Sequence, residues 1–595
     1  MNNRVDSSQE QKSVKPFSPL LFSLVAVGLG VIAGMGAVVF RGLIALVHNL
    51  AFEGRISYIY DTYQHSAESP LGWAIIFVPV IGALIVVYLV KNYAPEAKGH
   101  GVPEVMGAIY HQRGIIRPTV AAIKSIASAV SIGTGGSVGR EGPIIQIGAS
   151  FGSTLAQIFN IPIWQRITLI ATGAAGGIAA TFNTPIGGIL FAVELMLQEV
   201  SVRTLVPVTL GTAMATMVGR WAFGDHPSFI IPASDSSYYS IAHPLSLINY
   251  VLLGIMTGYL SYVFIKSIYG FEDLFEKWFP RKPYVRHMVG MLSLGILMYI
   301  LLRTEGHYYI QGVGYASIQD ILSSRSLPIY LLALLLILKL IATSLTLGSG
   351  ASGGVFSPGL FMGVMLGDLY GEILLKLFPN LHINPVDFGV AAMAGVIGGS
   401  TGAALAAIVM VFEMTLDYNV ILPISITVAL SYGIRKVLSK ESLYTLKLAR
   451  RGLHMPEALG TNFQYLTPAE RLMEPKKIQY SGSMPLKEFA EVIRHAHRGA
   501  CFLVKDEVKT AGVIFRETAL EALDQKSKGS LKDIMNTHFV WVEAHTALVD
   551  ILLKLKEKSA EVALIRSELG SEKASGLITK IDIESAIEDS ASLMS

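Results

Sequence analysis

The sequence has little charge and almost no cysteine. Asp, Glu, Lys and Arg make up 15% of its 595 residues, whereas soluble domains contain about a quarter. Hydrophobic residues make up 52%, so most of the chain is predicted to lie in a lipid bilayer. The net charge of +3 is too small over this length to indicate a nucleic-acid partner. The single cysteine, Cys501, excludes a disulfide framework and is predicted to be a buried apolar residue.

Long apolar runs occur at residues 20–40, 71–90 and 250–265. Each is at or near the length that spans a bilayer. The first run follows a polar tail and is interpreted as a retained helix, with a signal peptide as the alternative. By the positive-inside rule, basic residues beside the first and last apolar segments place both termini in the cytoplasm. These residues are Arg4, Lys12, Lys15, Arg435, Lys436, Lys440, Lys447, Arg450 and Arg451.

The composition changes near Leu453. Before this residue charges are sparse and glycines frequent, whereas alternating apolar segments and mixed charges follow it. We therefore predict a cytoplasmic tail over 1–15, a transmembrane domain over 16–451 and a cytosolic domain over 456–595.

The transmembrane domain contains an internal repeat. Lys124 begins "KSIASAVSIGTGG", and Lys339 begins the similar "KLIATSLTLGSGA" 215 positions later. Upstream of each lysine, Gly99 begins "GHGVPE" and Gly312 begins "GVGYAS", 213 positions apart. The order and the spacing of these landmarks predict two structural halves.

A third landmark follows in each half. Glu194 ends the apolar stretch "GGILFAVE", and Glu413 does the same in "AAIVMVFE", 219 positions later. The halves are placed at about 16–225 and 245–451. Repeated halves with glycine-interrupted helices are typical of transporters whose site lies where the broken helices meet. Glycines that serve only helix packing are the alternative, and this explains "GAAGGIAA" from Gly173.

The segment "GREGP" places Arg140 and Glu141 inside a glycine cluster at membrane depth. A helix that begins inside the membrane presents unpaired N–H groups and the positive end of its dipole, which bind anions. Pro143 stands where a helix can start, and Pro358 in "GGVFSPGLFMG" repeats the arrangement in the second half. Two such helix ends predict an anion site that needs no lysine or arginine as counter-charge.

Four segments in order, "GHGVP", "GREGP", "GGVFSP" and the tyrosine of "ESLYTLKLAR", resemble the signature segments of the CLC chloride channels and proton/chloride exchangers. The resemblance covers essentially the whole transmembrane domain. It implies an all-α polytopic membrane fold of inverted repeats and a homodimer with one anion pathway per subunit. It also implies chloride and related anions as substrates, no required cofactor and no enzymatic activity.

The resemblance also implies roles for individual residues. Glu141 matches the family's gating glutamate: deprotonated, its carboxylate blocks the outer anion position, and protonated, it moves away. Val355 and Phe356 match backbone N–H donors to the central anion, and Tyr444 matches its hydroxyl donor. The remaining residues expected to bind the anion are His100, Gly101, Arg140 and Gly142. The alternatives are a structural ion pair between Glu141 and Arg140, and an interfacial role for Tyr444.

Three positions depart from the family pattern. His100 stands where the family has an anion-binding serine, and its imidazole either donates to the anion or turns aside. Leu195 replaces the second, proton-carrying glutamate of the exchangers, and Met106 replaces an acidic residue near that path. Glu194 is present, but its repeat mate Glu413 indicates a structural role in both halves. Channel-like passive conduction is therefore favoured, with a proton/chloride antiporter of non-standard proton route as the alternative.

The C-terminal part resembles an α/β pair of CBS modules. The openings are "LTPAERLMEPKKIQY" and "GSLKDIMNTHFVWVEAHTALVDILLKL". In such pairs a Thr and an Asp of one segment often hold an adenine nucleotide, and Thr579 and Asp582 of "GLITKID" fit that segment. A structural CBS pair without a ligand is the alternative.

These expectations describe a protein of a prokaryotic inner (plasma) membrane, with the lipid bilayer and protons at Glu141 as further partners. A CBS-regulated cation transporter is a rival, and it would need acidic clusters along the pathway, because Mg²⁺ prefers oxygen ligands. An intramembrane enzyme with Glu141 as base would need a nucleophile or metal set nearby.

Overall fold

The chain divides into two units, Met1–Met455 and Pro456–Ser595. The structure is a computed structural model, and it describes residues 16–197, 200–231, 246–323, 327–380, 383–453, 469–473, 479–496, 500–506, 509–524, 529–544, 546–566 and 574–583.

In the described ranges of the first unit, the regular secondary structure is helical, and loops connect the helices. Its first half contains α1 (Pro19–His48), α2 (Val78–Asn92), α3 (Val102–His111), α4 (Thr119–Gly133), α5 (Glu141–Ile158), α6 (Ile163–Phe182), α7 (Pro185–Leu195) and α8 (Val202–Phe223). Its second half contains α9 (Ser246–Trp278), α10 (Pro283–Glu305), α11 (Tyr315–Leu322), α12 (Ile329–Ser349), α13 (Phe356–Leu377), α14 (Pro385–Thr401), α15 (Ala404–Thr415) and α16 (Ile421–Leu438). The short helix α17 (Leu443–Ala449) ends the unit.

Seven helical segments of the described residues are long and apolar enough to cross a membrane. They include α1, α2, α8, α9, α10 and α12, and the seventh runs from Tyr418 to Ala449. Shorter apolar helices are α4, α7 and α15. The prediction of an all-α, multi-pass membrane unit is confirmed.

The centre of the unit consists of the helix pairs α5–α6 and α13–α14, which are buried along most of their length. Glycines allow close contact within each pair. A Cβ on Gly148 or Gly173 would overlap the backbone of the other. In the second half, a Cβ on Gly363 would lie 2.6 Å from the carbonyl oxygen of Ala392. The packing role predicted for "GAAGGIAA" is thus confirmed at Gly173.

Contacts between the halves are reciprocal. Gly139 and Gly354, which are 215 positions apart, exchange N–H···O hydrogen bonds of 2.8 and 2.6 Å. The hydroxyls of Ser128 and Ser352 lie 2.9 Å apart, and those of their repeat mates, Thr343 and Ser137, 3.5 Å apart. Such pairs require an approximate two-fold axis, which passes near the Gly139–Gly354 bridge.

The glutamates near the ends of α7 and α15 follow the same symmetry. Glu194 accepts hydrogen bonds from the first N–H groups of α15, at 3.0 and 2.7 Å, and Glu413 accepts from those of α7, at 3.1 and 2.7 Å. Each carboxylate therefore caps the helix of the other half and interacts with its dipole. This confirms the structural role predicted for both.

The second unit contains two similar three-stranded sheets. Its strands are β1 (Gln479–Ser481), β2 (Cys501–Asp506), β3 (Lys509–Phe515), β4 (Val540–Val542), β5 (Val562–Arg566) and β6 (Ala574–Thr579), and its helices are α18 (Ala469–Leu472), α19 (Leu486–His495), α20 (Arg516–Asp524) and α21 (Leu548–Glu557). In each sheet the first two strands are parallel and the last two antiparallel. Apolar side chains of β2, β3, β5 and β6 pack together, and Cys501 is buried among them, as predicted. The predicted C-terminal α/β character is confirmed.

Candidate functional site

Two helices begin at the centre of the first unit rather than at its edge. Helix α5 begins at Glu141 and α13 at Phe356, with Arg140 and Val355 at the preceding cap positions. Neither cap residue bonds its helix through a side chain, so the first N–H groups remain available to other partners. The paired loops at Gly139 and Gly354 bring the two helix starts together.

The side chain of Glu141 crosses from its own helix to the start of α13. Its Oε2 accepts from the backbone N–H of Ser357 at 3.3 Å, and its Oε1 accepts from the Tyr315 hydroxyl at 2.5 Å and from the Ser357 hydroxyl. Glu141 is fully buried. The carboxylate thus lies at the N-terminus of a broken helix, where the dipole favours a negative group.

Tyr315 is held by a cluster of aromatic rings. Its ring stacks on Tyr63 with 5.7 Å between centroids and meets Phe229 edge-on at 5.4 Å. The guanidinium carbon of Arg140 lies 5.1 Å from the centre of the same ring. Within the described residues no ion pair joins Arg140 to Glu141, so the carboxylate is held by hydroxyl and amide donors instead.

His100 and Gly101 lie in the loop that leads into α3. Gly101 has a φ of 91°, which a residue with a side chain rarely adopts. A Cβ on Gly101 would also lie 2.7 Å from the carbonyl oxygen of Gly142, and a Cβ on Gly142 would overlap that of His100. The backbone of "GHGVP" therefore packs directly on that of "GREGP". His100 is buried, and its Nδ1 has no hydrogen-bond partner among the described residues.

A buried lysine anchors the loop before α3, and its repeat mate anchors the loop before α11. The Nζ of Lys124 donates to the carbonyl oxygens of Ala97 and Gly99 at 3.0 and 2.7 Å. The Nζ of Lys339 donates to two carbonyl oxygens in the equivalent loop, each at 3.1 Å. The lysines seen in the repeat thus fix the backbone beside His100 and Tyr315.

Tyr444 is buried on α17, and its helix is tied to the loop that carries His100. Lys447 donates to the carbonyl oxygen of Lys98 at 3.3 Å and pairs with Glu104 of α3 at 2.9 Å. The Tyr269 hydroxyl donates to the carbonyl oxygen of Leu443 at 2.6 Å. Helix α17 is therefore fixed against α3 and α9.

Sequence reasoning missed the two hydroxyls that bind Glu141. Ser357 lies inside the quoted segment "GGVFSP", so its position was a usable signal. Tyr315 lies in "GVGYAS", but 174 positions separate it from Glu141 and the aligned residue of the first half is Val102, which has no hydroxyl. Comparison of the repeats could not reveal this donor.

Of the other predicted residues, Leu195 and Met106 are buried in the first unit, with 7% and 3% of their surfaces exposed.

Thr579 and Asp582 lie in the second unit. The N–H of Thr579 donates to the Asp582 carboxylate at 2.8 Å, and the N–H of Asp582 donates to the Thr579 hydroxyl at 3.1 Å. These two residues cap the backbone turn after β6.

Seven segments able to span a membrane, with two broken helices meeting at a buried carboxylate, define a multi-pass transport protein. The family model described as voltage gated chloride channel matches residues 82–436, which is more than half of the chain. The chain therefore belongs to the voltage-gated chloride channel (CLC) family, whose members transport anions.

Solved structures share the fold. A slow cyanobacterial Cl⁻/H⁺ antiporter is 24% identical with a TM-score of 0.62, and the match covers 73% of this chain and 99% of that chain. A eukaryotic CLC transporter is 19% identical with a TM-score of 0.61, covering 95% and 98%. A CLC-type fluoride/proton antiporter is 24% identical with a TM-score of 0.59, covering 72% and 97%.

Proposed function

We propose that the protein conducts chloride and related anions passively across a prokaryotic plasma membrane, through a pathway gated by Glu141. The observation that carries this proposal is the position of the Glu141 carboxylate, which accepts three hydrogen bonds at the start of α13. A negative group bound there occupies an anion position. Protonation removes its charge and weakens its hold on the N–H and hydroxyl donors, so that chloride replaces it.

The central anion position lies between the broken helices in this proposal. The N–H groups of Val355 and Phe356 donate to the anion, with the Tyr444 hydroxyl on the cytoplasmic side. Gly101 and Gly142 admit the close backbone approach that the site requires. The Nδ1 of His100 lacks a partner among the described residues, which favours an imidazole that donates to the anion over one that turns aside. Arg140 supplies positive potential at the outer end.

Passive conduction is proposed over exchange because the inner proton path lacks a carboxylate at two positions. Leu195 and Met106 are apolar and buried, and Glu194 is engaged by two backbone N–H groups of α15. A second candidate is a proton/chloride antiporter with a non-standard proton route. It is favoured by the shared fold with a Cl⁻/H⁺ antiporter and by the titratable Glu141 itself.

The deciding experiment is the reversal potential of the purified protein in liposomes under opposed chloride and proton gradients. For passive conduction we expect a reversal potential that follows the chloride gradient alone. A dependence on the proton gradient at fixed stoichiometry would establish the antiporter. A reversal potential that follows potassium would exclude anion selectivity altogether.

We further propose a homodimer with both termini in the cytoplasm and the second unit as a paired CBS domain. The two similar sheets, with bulges after Val504 and Ile565, support two modules. Adenine-nucleotide binding through Thr579 and Asp582 is the proposed function of the pair. Titration calorimetry of the full chain with ATP, ADP and AMP tests it: we expect heat that Asp582→Ala removes, because the ribose hydroxyls lose an acceptor. No heat from the unmodified chain would favour a structural pair without a ligand.

A further inference from the structure

A polar cavity lies beside Arg140, near His48 at the C-terminal end of α1. Arg140, Thr62 and Gln311 contribute its polar lining together with Tyr60 and His48. A second cavity shares Tyr60, Thr62 and Gln311 with the first and extends to Tyr315 and His65. Each space is large enough to admit a group the size of a water molecule.

The guanidinium of Arg140 is a buried charge at the wall of this cavity, and the Glu141 carboxylate and Tyr315 interact with it favourably. Arg140 is 2% exposed, and its Nε and Nη2 have no hydrogen-bond partner among the described residues. A guanidinium stays protonated at all accessible pH values, and a buried charge without a partner is strongly unfavourable. The contact with the Tyr315 ring offsets only part of this cost. The two unpartnered N–H groups therefore favour an anion in the cavity.

Two neutral groups complete the site. The Thr62 hydroxyl is buried and has no partner among the described residues, so its proton is available to an acceptor in the cavity. The Gln311 amide donates to the Ser66 hydroxyl at 2.6 Å. That hydroxyl can donate as well as accept, so rotation of the amide by half a turn keeps this contact and directs the NH₂ group into the cavity.

The cavities lead toward the surface. His65, at the far end of the second cavity, keeps 16% of its side chain exposed. The segment that carries His65 and Thr62 follows α1, whose start the proposed function places in the cytoplasm. The cavities therefore open on the outer side, beyond Tyr315 and the carboxylate that Tyr315 binds.

We infer that a monovalent anion, chloride or bromide, binds in the cavity lined by Arg140 and Thr62, as a separate position outward of Glu141. This inference rests on the proposed function, because it assigns the first position that an incoming anion occupies. An anion held there is close to the pathway when the Glu141 carboxylate leaves. The guanidinium raises the local anion concentration and so speeds entry from outside.

The transport test places a fixed negative charge in the cavity. Thr62→Asp supplies a tethered competitor, and Thr62→Asn is its matched neutral control of similar size. With purified full-length protein in liposomes, we expect Thr62→Asp to raise the external chloride concentration for half-maximal uptake roughly tenfold or more, since an added like charge opposes the anion. Thr62→Asn should raise it only about twofold, the effect of one lost neutral donor.

The binding test needs no variant that could misfold. Crystals of the full chain grown in bromide should show an anomalous peak against the Arg140 guanidinium, separate from any peak at the start of α13. Equal behaviour of Thr62→Asp and Thr62→Asn, or a bromide peak at α13 with none beside Arg140, would overturn the inference. Absence of chloride transport by the unmodified chain would instead contradict the proposed function. The crystals would still show whether bromide binds beside Arg140, because that measurement does not depend on transport.

Discussion

The two halves of the membrane unit share their supporting residues and differ at their functional ones. Lys124 and Lys339 make equivalent contacts with loop carbonyls, and Glu194 and Glu413 make equivalent helix caps. At the site itself the symmetry ends. The residue that begins α5 is Glu141, whereas α13 begins with Phe356.

The same contrast applies to the neighbours of Glu141. Gly142 of the first half corresponds to Ser357 of the second, and Val102 corresponds to Tyr315. The second half thus supplies all three donors, and the first half supplies the carboxylate that they bind. Positions that fix the backbone therefore match in both halves, whereas positions that contact the anion or the proton are specialised in each.

The largest effect is expected at the specialised carboxylate. Glu141→Gln or Glu141→Ala should remove most of the pH dependence of chloride flux and leave the pathway open, because a neutral side chain no longer competes with the anion. Flux from proteoliposomes measured across a range of pH values checks this. Unaltered pH dependence would contradict a gating role for Glu141.

The matched lysines come next. Lys124→Met and Lys339→Met should each destabilise the membrane unit by about 1–3 kcal/mol for every carbonyl left without a donor, and the two losses should be similar. Thermal unfolding in detergent measures both. Lys277→Met, at an exposed position near the end of α9, is the control and should change little. A large loss of stability in only one of the two variants would contradict the equivalent roles of Lys124 and Lys339.

The hydroxyl of Tyr315 belongs only to the second half. Tyr315→Phe removes one hydrogen bond to a charged group, worth about 1.5–3 kcal/mol. Because the deprotonated carboxylate loses a donor, Glu141 takes up its proton more easily, and activation by acid should shift to higher pH by about one to two units. Tyr63→Phe keeps the ring that stacks on Tyr315 and is the matched control. An unchanged pH profile in Tyr315→Phe would show that the hydroxyl is dispensable.

Substitution of Glu194 and Glu413 distinguishes a helix-capping role from a proton-carrying role. Glu194→Gln and Glu413→Gln should each leave one helix N–H without an acceptor and cost about 1–3 kcal/mol in stability. Neither should alter the movement of protons relative to chloride, measured in liposomes with a pH-sensitive dye. If Glu194→Gln alone abolished proton movement, Glu194 would be a carrier and the structural equivalence would not extend to function.

The smallest effect on transport is expected at Leu195. A leucine cannot carry a proton, so Leu195→Ala should leave chloride flux nearly unchanged, with no or only loose uphill proton movement before and after the change. Proton uptake driven by chloride at a fixed stoichiometry, independent of voltage, would be the opposite result. It would point to Glu194 or His100 as the proton carrier.

Much of this architecture was predictable because the backbone requires particular residue types at particular positions, and these residues recur at a fixed spacing in the sequence. Glycines recur where chains approach closely, as at Gly101 and Gly142, and a buried lysine or glutamate recurs where a loop or helix end needs a partner. The family resemblance of "GREGP" led to Glu141. The donors to Glu141 were not predictable in the same way, since Tyr315 meets it only after the chain has folded. The free space beside Arg140 depends on how Thr62 and Gln311 pack, and no local pattern encodes it.

The hydrogen bonds between Gly139 and Gly354 have a consequence for the origin of the chain. Each of these residues is the repeat mate of the other. Likewise, Glu194 caps the first turn of α15, and its repeat mate Glu413 caps that of α7. In a dimer of identical subunits such contacts form an isologous interface, in which one surface is complementary to itself. The interface between the halves therefore has the geometry that duplication and fusion of a single self-associating repeat would produce. Within one chain the two halves need not be identical, so one half can carry the carboxylate of Glu141 while the other carries the hydroxyls of Tyr315 and Ser357 that bind it.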